Sequence, residues 1–124
     1  MVNKVFSIAL AVFVIDRILK IIFFNSSKIN SGAAFNILPG QNWLFILVAV
    51  IVVVFIINHR NLTDYQIGMG LLMGGTLGNL IDRFFYSGVV DFISIWIIPT
   101  FNVADLANVV GALLIICRMY KKCP

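Results

Sequence analysis

The sequence predicts an all-α membrane protein: four transmembrane helices with a short extracytoplasmic loop region that has room for β structure. Three observations carry this. Hydrophobic residues make up 61% of the 124 residues, against roughly 45–50% in soluble chains. Formal charges are few, nine Lys or Arg and five Asp, and a small water-soluble domain could not cover so much apolar surface with them. They are also clustered: neither 30–58 nor 65–81 contains an Asp, Lys or Arg.

A helical bilayer crossing takes about 20 residues. The first predicted span, 5–24, follows the basic Lys4 and begins like a signal peptide. No small-residue cleavage site follows, and Asp16, Arg17 and Lys20 continue the helix, so the segment is expected to be retained. Turn-forming NSSKINSG ends it. The second span, 43–58, is an almost unbroken apolar run stopped by HRNLTD. The third, 65–84, carries Gly70, Gly74 and Gly78 at every fourth position, a stripe that admits a neighbouring helix at close range. YSGVVD and IIPTF separate it from the fourth span, 102–119. The whole chain, 1–124, then reads as one integral-membrane unit.

Four spans return both termini to one side. Lys4, His59, Arg60, Arg118, Lys121 and Lys122 fall there, which makes that side cytoplasmic by the positive-inside bias. The net charge of +4 thus reports topology. No basic groove with interleaved aromatics suggests a nucleic-acid partner. Cys117 and Cys123 lie at the cytoplasmic end, where thiols stay reduced, and no metal-ligand spacing accompanies them. No cofactor or metal site is assigned.

The same topology gathers the polar residues. Asp16 and Lys20 fall in the outer half of the first span, and Asn79, Asp82 and Arg83 at the outer end of the third. Asn102 and Asp105 fall at the outer start of the fourth, with Asp91 in the connection before it. Asp16/Lys20, Asn79/Asp82 and Asn102/Asp105 are spaced to share helix faces. Ionisable groups in a span persist where they pair or reach water. Asp16, Arg17, Lys20, Asp82 and Arg83 fit a set of ion pairs holding helices together. Asp91 and Asp105 fit it worse, since neither has a basic residue within four positions. Two neighbouring carboxylates without a counter-charge suit shared-proton chemistry, in which one ionises and the other keeps its proton. Two function classes follow: a hydrolase working at the outer interface, or a proton or ion pathway or scaffold on the same helices. A pathway needs polar groups through the full depth, and LFILVAVIVVVFII and VVGALLIIC offer almost none. Sequence separation alone does not choose Asp91 over Asp82.

Five ordered blocks, DRILK (16–20), NSGAAF (30–35), GGTLGNLIDR (74–83), GVVDF (88–92) and FNVAD (101–105), resemble the lipoprotein signal peptidases, or signal peptidase II. The resemblance implies a bacterial inner-membrane aspartic endopeptidase. It removes the signal peptide of a prolipoprotein just before a cysteine that carries a diacylglyceryl group. Its partners are that lipid-modified substrate and membrane lipids, and the enzyme is expected as a monomer with its active site near the extracytoplasmic surface. By position, Asp91 and Asp105 match the catalytic pair. Asp16, Lys20, Asn30, Gly32, Asn79, Asp82, Arg83 and Asn102 match residues that shape the site or bind substrate. GAAF is placed to cover a bound lipopeptide. With only nine residues between Lys20 and Asn30, the outer sheet of the family is expected to be reduced.

Overall fold

Asn3 starts the first helix: its side-chain oxygen accepts the Val5 N–H at 2.9 Å, satisfying one of the donors that a helix start leaves open. The computed structural model describes residues 3–33 and 37–121. Its long helices are α1 (Lys4–Ile22), α2 (Asn42–His59), α3 (Gln66–Tyr86) and α4 (Val103–Met119). Short strands fill the connections: β1 (Lys28–Asn30) after α1, then β2 (Val89–Asp91), β3 (Ile93–Ile95) and β4 (Ile98–Phe101) between α3 and α4.

β1 pairs antiparallel with β2, setting Lys28 opposite Asp91 and Asn30 opposite Val89. β3 and β4 form a hairpin with Ile95 opposite Ile98. The β structure for which the connecting loops have room takes the form, among the described residues, of two two-stranded sheets. Ser87 ends α3 in the left-handed region, φ 56°, and so turns the chain into β2.

α3 is the central helix, packed on α1, α4 and α2. Its glycines make two faces. A side chain at Gly70 or Gly74 would run into Ile8 or Val12 of α1, and one at Gly68 into Ile115 and the Gly111 carbonyl of α4. The close approach foreseen from the stripe is thus used on α1, and α4 has its own contact points. Val5, Ala9, Ile56, Met69 and Met73 form the buried apolar core. Most other large apolar side chains point outward, including Leu47, Ile51 and Phe55 of α2.

Among the described residues, α2 alone is long and apolar enough to qualify as a membrane crossing by itself, with a mean hydropathy of 2.4 over 18 residues. α1 and α3 fall short because they carry ionised side chains, and α4 is only 17 residues long. Yet Asp16, Lys20 and Asp82, which lower the apolarity of α1 and α3, are buried between the helices.

Replacing Gly74 with valine tests the α1–α3 approach, because a Cβ there lies 2.6 Å from Val12 Cβ and 2.7 Å from the Ala9 carbonyl oxygen. Gly74→Val is expected to destabilise the protein by about 1–3 kcal/mol, as overpacking does. A melt in detergent reads this; an unchanged midpoint contradicts the packing.

Candidate active site

The polar end of the bundle is built outward from α1. Asp16 and Lys20 lie one turn apart, with Lys20 Nζ 2.7 Å from Asp16 Oδ2. The same ammonium lies 2.7 Å from Asp82 Oδ2 on α3 and donates to Asn79 Oδ1 at 3.1 Å. Arg17 binds the other Asp82 oxygen at 2.5 Å. Asp16, Lys20 and Asp82 are at most 2% exposed. Buried charges are tolerable when paired in this way. Both carboxylates also hold a backbone amide. Asp82 Oδ2 accepts the Val90 N–H of β2 at 3.1 Å, and Asp16 Oδ1 accepts the Ala104 N–H of α4 at 2.9 Å. One ionic cluster thereby fixes where β2 lies and where α4 begins.

Asn102 is the N-cap of α4. Its side-chain oxygen accepts the Asp105 N–H at 2.8 Å, while Asp105 Oδ2 accepts the Asn102 N–H at 3.1 Å, a reciprocal capping box. Its amide nitrogen lies 3.0 Å from Asp91 Oδ1, 3.1 Å from Asn79 Oδ1 and 3.2 Å from the Val90 carbonyl. Asn79 in turn donates to Asp105 Oδ1 at 3.1 Å. Asp91 and Asp105 are therefore bridged by one asparagine, and both open on a single cavity of about 200 Å³.

Neither of these aspartates makes an ion pair among the described residues. Burial, and next the Asp105 carboxylate, push Asp91 up to about 7, while Asn30, the Lys20 ammonium and the Asn102 amide pull it partway back. The arrangement can hold one proton between two carboxyls and keep the other ionised.

The candidates fall into two groups. Asn30, Gly32, Asn79, Arg83, Asp91 and Asp105 line the cavity, whereas Asp16, Lys20, Asp82 and Asn102 stand behind it. Arg83 departs from the ion-pair expectation: no carboxylate pairs with it among the described residues. It donates to the Gly32 carbonyl at 2.6 Å and to Asn42 Oδ1 at 3.2 Å, and it lies 4.9 Å over the Phe45 ring. It thus ties the loop after β1 to the start of α2. A side chain at Gly32 would strike the Ile37 carbonyl. Of the GAAF segment, Ala34 and Phe35 lie outside the described residues. Asn42, Phe45, Thr76 and Asn108 were not foreseen; the last two lie one helical turn from Asn79 and Asp105, a spacing visible in the sequence.

Residues 8–121 match the family described as signal peptidase (SPase) II. The lipoprotein signal peptidase of Halothermothrix orenii is 34% identical, with 95% of this chain and 96% of that protein aligned. That of Geobacillus thermodenitrificans is 46% identical over 86% of this chain and 69% of its own length. A solved structure described as a bacterial membrane enzyme, determined in meso at 2.3 Å, superposes with a TM-score of 0.86 at 30% identity, covering 98% of this chain and 90% of that one.

Two measurements check the electrostatics. Lys20→Met removes the close partner of buried Asp16 and one of the two cations on Asp82, and is expected to cost about 3–5 kcal/mol, read as a collapse of the folded fraction in detergent; a wild-type melt contradicts it. Asp91 titrates at about 7 when folded and near 3.8 as a free side chain. The folded state therefore binds more protons between those values, and stability falls as pH rises from about 4 through 7. The melting midpoint should drop across that window and flatten in Asp91→Asn. Equal slopes refute the shift.

Proposed function

This chain belongs to the signal peptidase II family, and on that premise we propose that Asp91 and Asp105 are the carboxyl pair that performs its hydrolysis. It is an aspartic-type peptidase that removes the signal peptide from prolipoproteins. The observation that carries the assignment of the pair is the Asn102 bridge between two carboxyls that share one cavity.

Asp105, whose two oxygens both accept N–H hydrogen bonds, is the ionised member; hydrogen bonding of that kind favours a carboxylate. Asp91 keeps the proton up to about pH 7. A water between them gives one proton to Asp105 as its oxygen bonds to the scissile carbonyl carbon, and Asp91 protonates the carbonyl oxygen. When the tetrahedral intermediate collapses, the C–N bond breaks and the amine leaves with the proton held on Asp105. Asp91 recovers its own proton from the hydroxyl it had protonated, as that C–O bond becomes the carbonyl of the product acid. The proton inventory is restored with no further reactant.

In this reading all four helices cross the membrane, with both termini cytoplasmic. The buried placement of the charges on α1 and α3 supports this, because it leaves apolar side chains to meet lipid. The β3–β4 hairpin supports the interfacial position: Trp96, 93% exposed, and Ile97, 78% exposed, stand at its tip, and tryptophan favours the headgroup level. The substrate is a precursor whose cysteine carries a diacylglyceryl group, its acyl chains remaining in hydrocarbon while the peptide before that cysteine reaches the aspartates.

Purified protein incubated with diacylglyceryl-modified and with unmodified precursor tests the whole reading. Release of signal peptide from the modified form alone is expected, and proton flux in liposomes without cleavage overturns it. Asp91→Asn and Asp105→Asn should each lower turnover by roughly 10³-fold or more while the protein still inserts. Turnover should also decline above about pH 7, as Asp91 loses its proton; a rate that keeps rising through pH 9 rejects the assignment.

A further inference from the structure

Antiparallel α3 and α4 face each other across the cavity with two polar rungs. The first is Asn79–Asp105. The second lies one turn deeper on both helices, where Thr76 Oγ1 donates to Asn108 Oδ1 at 3.4 Å. Thr76 and Asn108 both line the cavity, whose wall at that depth is otherwise apolar, formed by Val48, Ala49 and Val52 of α2 and Val109 of α4. The amide is held in place from behind: any side chain at Gly75 would collide with it and with the Ala104 carbonyl.

A side-chain amide nitrogen carries two N–H donors. The oxygen of Asn108 is engaged by Thr76, yet its nitrogen has no acceptor among the described residues. Asn108 is half-buried at the cavity wall. Its N–H donors are therefore open to the cavity and free to meet an acceptor supplied from outside the chain.

We propose that Asn108, oriented by Thr76, binds the substrate backbone by donating to a carbonyl oxygen just before the scissile bond. The inference rests on the peptidase reading above, which places the bond to be cut at Asp91 and Asp105 and brings the signal segment from the cytoplasmic side. From Asp105 to Asn108 the helix rises about 4.5 Å, and an extended peptide advances about 3.3 Å per residue. The carbonyl reached therefore belongs to the residue one or two positions before the one whose carbonyl is attacked. A backbone contact holds the chain in register without constraining its side chains, which suits an enzyme acting on many precursors.

The test separates binding from turnover. In an Asp91→Asn background, which keeps substrate intact, the affinity of a fluorescent diacylglyceryl precursor peptide is measured with and without Asn108→Leu. The substitution is expected to weaken binding about three- to ten-fold, the range for one hydrogen bond. Asn108→Gln, which retains the donor, should recover part of it. Peptides in which a methylene replaces either candidate carbonyl complete the cycle: one of them should bind the parent less tightly and the leucine variant no less tightly than the intact peptide. A purely structural rung lowers the melting midpoint but leaves the two losses additive. Unchanged affinity in Asn108→Leu, additive losses, or no binding to either protein overturns the proposal. Coupled losses with no cleavage by the protein bearing Asp91 instead reject the peptidase reading and leave the backbone contact standing.

Discussion

Lys20 between Asp16 and Asp82 is the constraint on which the rest of this structure depends. Three ionised groups from two helices are buried together, and each carboxylate reaches further to fix a backbone N–H of a third segment. In a low-dielectric interior none of the three can move away without stranding the charge of another. The positions of β2 and of the start of α4 are consequences of that pairing. Asp91 belongs to the first and Asp105 to the second, so their separation is set by a cluster that touches neither carboxyl directly. The Lys20 ammonium also contacts Asn79, the residue that holds Asp105, and so links scaffold to site through one side chain.

The apolar part of the sequence supplies a different kind of order. Outward-facing leucine, isoleucine and valine gain little from one another when lipid is the alternative, so helix association depends on close packing. α3 carries that burden. Its glycines bring α1 and α4 near enough for Lys20 to span the gap to Asp82 and for Asn79 to reach Asp105. α2 makes the weakest contact with the others, and the cavity opens along its Phe45–Val52 side. A cleft that admits a lipid-anchored chain needs a wall of this sort.

The helices were legible in the sequence because long apolar runs between polar turns have few other solutions. The observed bounds of Asn42–His59 and Val103–Met119 nearly coincide with the spans read from hydropathy alone. The outer strands were less legible: three-residue pieces such as Lys28–Asn30 have too little alternation to declare themselves, and they exist because each has a partner distant in sequence. Within the site, the i, i+3 and i, i+4 polar pairs announced which helix faces matter. They did not announce how the faces meet. Asp82 and Asp91 are both aspartates near the same helix end, and only the tertiary arrangement sends Arg17 and Lys20 to the first and neither to the second. Arg83 illustrates the reverse error. Its charge suggested an ion pair, but neutral oxygens from the loop after β1 and from α2 surround it, contacts of long sequence separation that no local pattern encodes.

That misplaced expectation has a consequence for the proton count. Asp16 and Asp82 balance Arg17 and Lys20, which leaves Asp91, Asp105 and Arg83 as the ionisable groups that line the cavity. Arg83 is bound to a carbonyl, an amide oxygen and an aromatic face, so no single carboxylate cancels its charge and its field acts across the cavity. Two ionised carboxylates would leave the cavity with one uncompensated negative charge, and two protonated ones with an uncompensated guanidinium. A single proton shared between Asp91 and Asp105 makes the set neutral. The cost of burying net charge thus favours the singly protonated state that the proposed mechanism requires. Arg83 does not need to touch the reacting atoms for this; it needs only to remain charged, close by, and without a carboxylate of its own.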